Sequence, residues 1–132
     1  MTPFGEYLEQ LRRSRYLQQK QLADIMGINP CYVSALEKGR KGPPSKPVLE
    51  QLIEKLDLSA EEESRLWKSV ELSDLNLRLP VNMSKQEFEF LYELRQSLGR
   101  LSNNQLVIMQ TALKMGESAF GMQGERRRGN VM

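Results

Sequence analysis

The sequence predicts an all-α fold, and three observations carry that expectation. Apolar residues recur at i, i+3 and i+4 along most of the chain. Helix start and stop signals punctuate these runs at short intervals. No segment alternates with period two for long, so strands are not expected.

The first helix is expected from about Pro3 to Ser14, with Phe4, Tyr7, Leu8 and Leu11 as its inward stripe. Leu22, Ala23 and Met26 give a second, short helix one apolar side, and Gly27 supplies the left-handed residue that ends it. Asn29 is a good N-cap. Pro30 suits the first helical position, where its missing N–H would be unpaired in any case. Val33 and Leu36 form the buried stripe of this third helix, and Gly39 stops it. A basic, glycine- and proline-rich loop, GRKGPPSKP, runs from Gly39 to Pro47. A fourth helix over about Pro47 to Leu56 carries Val48, Leu49, Leu52, Ile53 and Leu56. Ser59 with Glu62 is a capping box opening a fifth, with Leu66, Trp67 and Val70 inward.

Residues 73–83 contain Pro80 and break the helical pattern, so they read as a connector. Its leucines 75, 77 and 79 alternate with polar residues, as in a segment lying extended on an apolar surface. Ser84 with Glu87 starts another helix to about Leu98, with Phe88, Leu91, Tyr92, Arg95 and Leu98 along one face; Gly99 marks its end. Ser102 with Gln105 opens a last helix to about Phe120, carrying Leu106, Met109, Leu113 and Met115. Residues 121–132 have no core-forming pattern and are expected to be disordered. The expected organisation is therefore a domain over 1–72, a connector over 73–83, a helical pair over 84–120 and a tail over 121–132.

Composition narrows the function. Histidine is absent, which removes the commonest general base and metal ligand, so no enzyme, metal or cofactor is expected. The single cysteine cannot form an internal disulfide, and no apolar run approaches a membrane span. With no signal-peptide core in MTPFGEYLEQ, a cytoplasmic protein is expected. Net charge is only +2, but it is unevenly spread. Residues 1–46 carry a net +4, residues 47–72 a net −4 and residues 73–132 a net +2. The basic third of the chain is the part suited to meeting phosphate.

Two short amphipathic helices joined by a tight turn, as over 18–39, form a helix-turn-helix, a unit that places its second helix in the DNA major groove. The spelling adds to the pattern. Arg12, Leu17, Gln19, Leu22, Ala23, Gly27, Pro30, Val33, Ser34, Leu36, Glu37 and Gly39 resemble the Cro/C1-type (XRE family) helix-turn-helix proteins over roughly residues 3 to 72. The resemblance implies the family's five-helix, lambda repressor-like domain, here followed by the C-terminal helical pair. It further implies a sequence-specific transcriptional regulator, most often a repressor, with double-stranded DNA as partner. Gln19 matches a glutamine that contacts a phosphate in relatives. Arg12 and Glu37 match an ion pair that sets the angle of the recognition helix.

With Val33 and Leu36 facing the core, Asn29, Pro30, Cys31, Tyr32, Ser34 and Ala35 remain for the groove. Tyr32 could bond a phosphate, Ser34 a base edge, and Cys31 and Ala35 could meet a thymine methyl. Cys31 reads first as a small side chain that fits, ahead of a redox switch. This face lacks the forked side chains of strong direct readout, so specificity is expected to lean on DNA shape and flanking groups. Arg40, Lys41 and Lys46 lie in the loop where relatives approach the backbone, whereas Arg13, Arg15 and Lys20 could equally be solvated surface groups.

One such unit grips DNA tightly only as a pair on a palindromic operator. Phe88, Leu91, Leu98, Leu106 and Met109 are the expected homodimer surface, since left exposed they would form a costly patch. The alternative is that the helical pair folds back on the fifth helix, over Trp67. Other functions kept open are an antitoxin that also binds a toxin, and a helix-turn-helix module that binds protein instead of DNA.

Overall fold

The computed structural model describes residues 1–120, with side chains described to residue 115. All seven elements are helices, and no strand occurs among the described residues. They are α1 (Pro3–Ser14), α2 (Gln19–Met26), α3 (Pro30–Glu37), α4 (Lys46–Lys55), α5 (Ala60–Leu72), α6 (Lys85–Ser97) and α7 (Asn103–Phe120). The chain divides into two units, Met1–Leu77 and Arg78–Met132. The expected tail, 121–132, lies outside the described residues.

In the first unit each helix is bounded by the local signals that announce it. Thr2 Oγ1 accepts from Gly5 N–H at 2.9 Å and caps α1. Asn29 Oδ1 accepts from Cys31 N–H at 2.7 Å and caps α3, with Pro30 at its first position. Gly27, at φ 72°, ends α2 in the left-handed conformation that a side chain would strain. Ser59 and Glu62 exchange bonds across the first turn of α5.

The core is the set of inward stripes. Phe4, Leu8 and Leu11 of α1 meet Leu22, Ala23 and Met26 of α2, Val33 and Leu36 of α3, Leu49 and Leu52 of α4, and Leu66 of α5. Trp67 and Val70, expected inward, are half-buried and pack at the margin. Gly5 has a specific duty: a Cβ there would stand 2.2 Å from the Leu36 carbonyl oxygen. Only glycine lets the α1 and α3 backbones approach so closely.

The domain continues past the boundary expected at Leu72. Ser73 is buried, and its hydroxyl accepts from Phe4 N–H at 2.9 Å while donating to the Ser69 carbonyl at 2.7 Å. The residue read as the start of the connector thus caps both the first and last helices of the domain. Leu75 and Leu77, expected to lie on an apolar surface, are 88% and 73% exposed. Alternation over three leucines was too short to signal burial.

Arg15 ties α1 to α5 through Glu62, at 2.7 and 2.9 Å. This bond and the backbone N–H of Ser59 hold the Glu62 carboxyl down at about 2, below its ordinary 4.5. A carboxyl lowered on folding stabilises the fold above its unfolded value, and that contribution disappears as pH falls from about 4.5 towards 2. Glu62→Gln is therefore expected to flatten the acid limb of a thermal stability–pH profile over that window, with little change in the width of the neutral plateau.

In the second unit, Ser84 with Glu87 caps α6 and Ser102 with Gln105 caps α7. Gly99, at φ 89°, turns the chain between them. A groove of about 300 Å³ runs between the two helices, floored by Phe90, Leu94, Leu101, Ile108 and Met109. Of the stripe expected there, Leu91 and Met109 are half-buried, whereas Phe88, Leu98 and Leu106 are exposed.

Candidate nucleic-acid interface

Helix α3 is held from its C-terminal end. Glu37, 3% exposed, accepts from Arg12 Nε at 2.7 Å and from Arg12 Nη2 at 3.0 Å. Its Oε1 also accepts from Gln19 Nε2 at 2.9 Å. Arg12 Nη1 reaches back to the Leu17 carbonyl at 2.9 Å. One guanidinium and one carboxylate therefore lock α1, the α1–α2 turn, the N-terminus of α2 and the end of α3. Donating to Glu37 raises the Arg12 pKa further, so the guanidinium stays charged across the working range.

Gln19, expected at a phosphate, donates one amide N–H to Glu37 at 2.9 Å and so also takes part in the clamp made by Arg12. No sequence signal separates the two roles, since the Gln19–Glu37 pair joins residues 18 positions apart.

With Val33 and Leu36 fully buried, the outward side of α3 begins with Asn29, Pro30 and Cys31, all exposed. Asn29 keeps its Oδ1 as the helix cap, so only its amide nitrogen faces outward uncommitted. Ser34 and Ala35 are half-buried. Tyr32 is too: its ring packs against the core margin, and the Lys41 ammonium lies 5.7 Å from the ring centroid. Tyr32 is thus less free than its sequence position suggested, and it links α3 to the following loop.

The loop leaves α3 under control. Gly39 N–H and Arg40 N–H donate to the carbonyls of Leu36 and Ala35, at 3.1 and 2.9 Å. Arg40 and Lys41 are exposed. Lys46, expected in this loop, is instead the first residue of α4, because Ser45 and Pro47 favour a helix start one residue earlier. Among the described residues Lys38, Arg40 and Lys46 have no acidic partner within ion-pair distance. Arg13 and Arg15 differ: Arg13 pairs with Glu9 at 2.7 Å, and Arg15 with Glu62. Lys38, Arg40 and Lys41 follow the end of α3, where counterion release would favour DNA, although Lys20, Lys55 and Lys68 are likewise outside any ion pair among the described residues.

Among the described residues no group of acidic, cysteine or histidine side chains could hold a metal ion. No helix among them is long and apolar enough to cross a membrane.

A family model described as a helix-turn-helix domain matches residues 3–66. Two Bacillus subtilis (strain 168) proteins are similar. HTH-type transcriptional regulator RghRB is 40% identical over 52 residues, which are 39% of this chain and 37% of that protein. HTH-type transcriptional repressor RghR is 36% identical over 61 residues, which are 46% of this chain and 45% of that protein. The match thus spans less than half the length of either relative. A solved SinR protein/SinI protein complex aligns over 87% of this chain and 98% of that chain, with a TM-score of 0.42 and 23% identity.

Proposed function

We propose, from the helix-turn-helix domain model that matches residues 3–66 and the two similar regulators, that the chain is a Cro/C1-type transcriptional repressor that binds a palindromic operator as a homodimer. The observation that carries this reading is the clamped α3, its core face filled and its N-terminal face exposed, flanked by the free cations Arg40 and Lys46. Asn29, Pro30, Cys31, Ser34 and Ala35 line the groove, while Tyr32 and Lys41 brace its edge. Repression suits the reading, since one of the similar proteins bears that name. DNA makes the cytoplasm the place of action. The exposed apolar residues of α6 and α7 supply the second-copy contact.

The test is a gel shift against the DNA upstream of the protein's own gene, repeated over a range of salt. Each phosphate contact contributes a slope of about −0.9 in log K against log salt. Arg40→Ala with Lys41→Ala is expected to flatten the slope by about 1.8 and to weaken random and target duplexes alike. An unchanged slope removes these two residues from the interface. A folded protein that shifts no DNA even at low salt favours instead a helix-turn-helix module that binds protein, to which the hairpin's exposed side chains would also suit a toxin-like partner.

A further inference from the structure

We infer that Tyr16 is a DNA-backbone contact whose hydroxyl donates to a phosphate oxygen beside the N-terminus of α2; this rests on the DNA-binding reading above. Tyr16 sits in the α1–α2 turn at φ 57°, in the left-handed region. For an aromatic residue that conformation is an outlier, because its Cβ crowds the following carbonyl. Asp57, at φ 49°, is the other such non-glycine among the described residues, and aspartate is of the short polar type that tolerates it.

The fold gains nothing from the ring it holds there. Tyr16 is 93% exposed, and its side chain makes no hydrogen bond or ring contact among the described residues. A glycine would relieve the backbone, and the tyrosine brings neither packing nor a cap in return. What remains is its position. Tyr16 N–H donates to the Arg13 carbonyl at 3.0 Å, and the next carbonyl, that of Leu17, accepts from Arg12. The same guanidinium grips Glu37, and Gln19, three residues after Tyr16, reaches that carboxylate as well. The turn that carries Tyr16 is therefore pinned to the end of α3 from which the Arg40–Lys41 loop leaves.

In complexes of this motif the first helix crosses the sugar–phosphate backbone while the second enters the groove. An exposed phenol at the leading edge of α2 then meets phosphate, and tyrosine hydroxyls are among the groups that bond it. Being neutral, Tyr16 releases no counterion, so its effect differs in kind from that of Arg40 and Lys41.

The experiment measures melting and binding to a random-sequence duplex for the wild-type full chain, Tyr16→Gly and Tyr16→Phe. Tyr16→Gly is expected to melt about 4 °C higher, because relief of the left-handed backbone outweighs the added chain entropy. Both variants are expected to bind about tenfold more weakly, as for one lost hydrogen bond to a charged group, with the wild-type salt slope. If both variants bind like the wild type, the contact is overturned and the DNA-binding reading stands. Loss in Tyr16→Gly with full retention in Tyr16→Phe overturns the hydroxyl bond. A wild-type chain that binds no duplex overturns both readings together.

Discussion

Replacing Arg12 by methionine is expected to be among the most destabilising single changes in the domain. Glu37 lies almost wholly out of water, and the arginine supplies two of the three hydrogen bonds to its carboxylate. Removing one partner of a buried pair leaves a charge with no adequate counterpart, at a cost of about 3–5 kcal/mol. A domain of this size is stable by only about 5–15 kcal/mol. The thermal midpoint should therefore fall by about 15 °C or more. The double variant Arg12→Met, Glu37→Leu should recover most of the loss, since an apolar pair of similar volume removes the stranded charge. Thermal denaturation of the single and double variants checks both statements. A single-variant loss below about 1 kcal/mol would place the pair with ordinary solvated ion pairs.

The second large effect concerns assembly. Phe88 and Leu98 are 52% and 59% exposed, so charging them should leave each hairpin intact. Phe88→Glu with Leu98→Glu is expected to convert a dimer to a monomer by light scattering at unchanged helical content. Operator affinity should fall with it by about a hundredfold or more, because the second recognition helix no longer binds as part of one molecule. A wild-type monomer would overturn the homodimer proposed above, and a charged variant that remains dimeric would move the contact elsewhere.

Much of the fold was legible because helix ends are local events. Thr2, Asn29 with Pro30, Ser59 with Glu62 and Ser84 with Glu87 each act within a few residues, so α1, α3, α5 and α6 begin within a residue or two of where the sequence places them. The apolar stripes of the first unit were readable for the same reason. Partners across the chain were not. Arg15 meets Glu62 over 47 positions and Gln19 meets Glu37 over 18, and periodicity carries no information about either. The left-handed turn at Tyr16 was hidden because the residue there is not glycine. In the hairpin, the stripe through Phe88 and Leu98 and the one through Phe90, Leu94 and Leu101 have almost the same spacing, and only the packing of α7 selects the second for the groove.

The bond between Ser73 and Phe4 bears on how the domain can be cut and rejoined. A fragment ending at Leu72 would keep every helix of the first unit yet leave the Phe4 amide buried without its acceptor. The smallest excisable piece therefore ends after Ser73, beyond the last helical residue. The same bond, at 2.9 Å between donor and acceptor, sets Ser73 beside the first turn of α1, three residues from Met1, so the two ends of the excised piece lie near one another. A short linker could join them, and new termini opened in the exposed loop around Gly42 would yield a circularly permuted domain with every helix and cap retained.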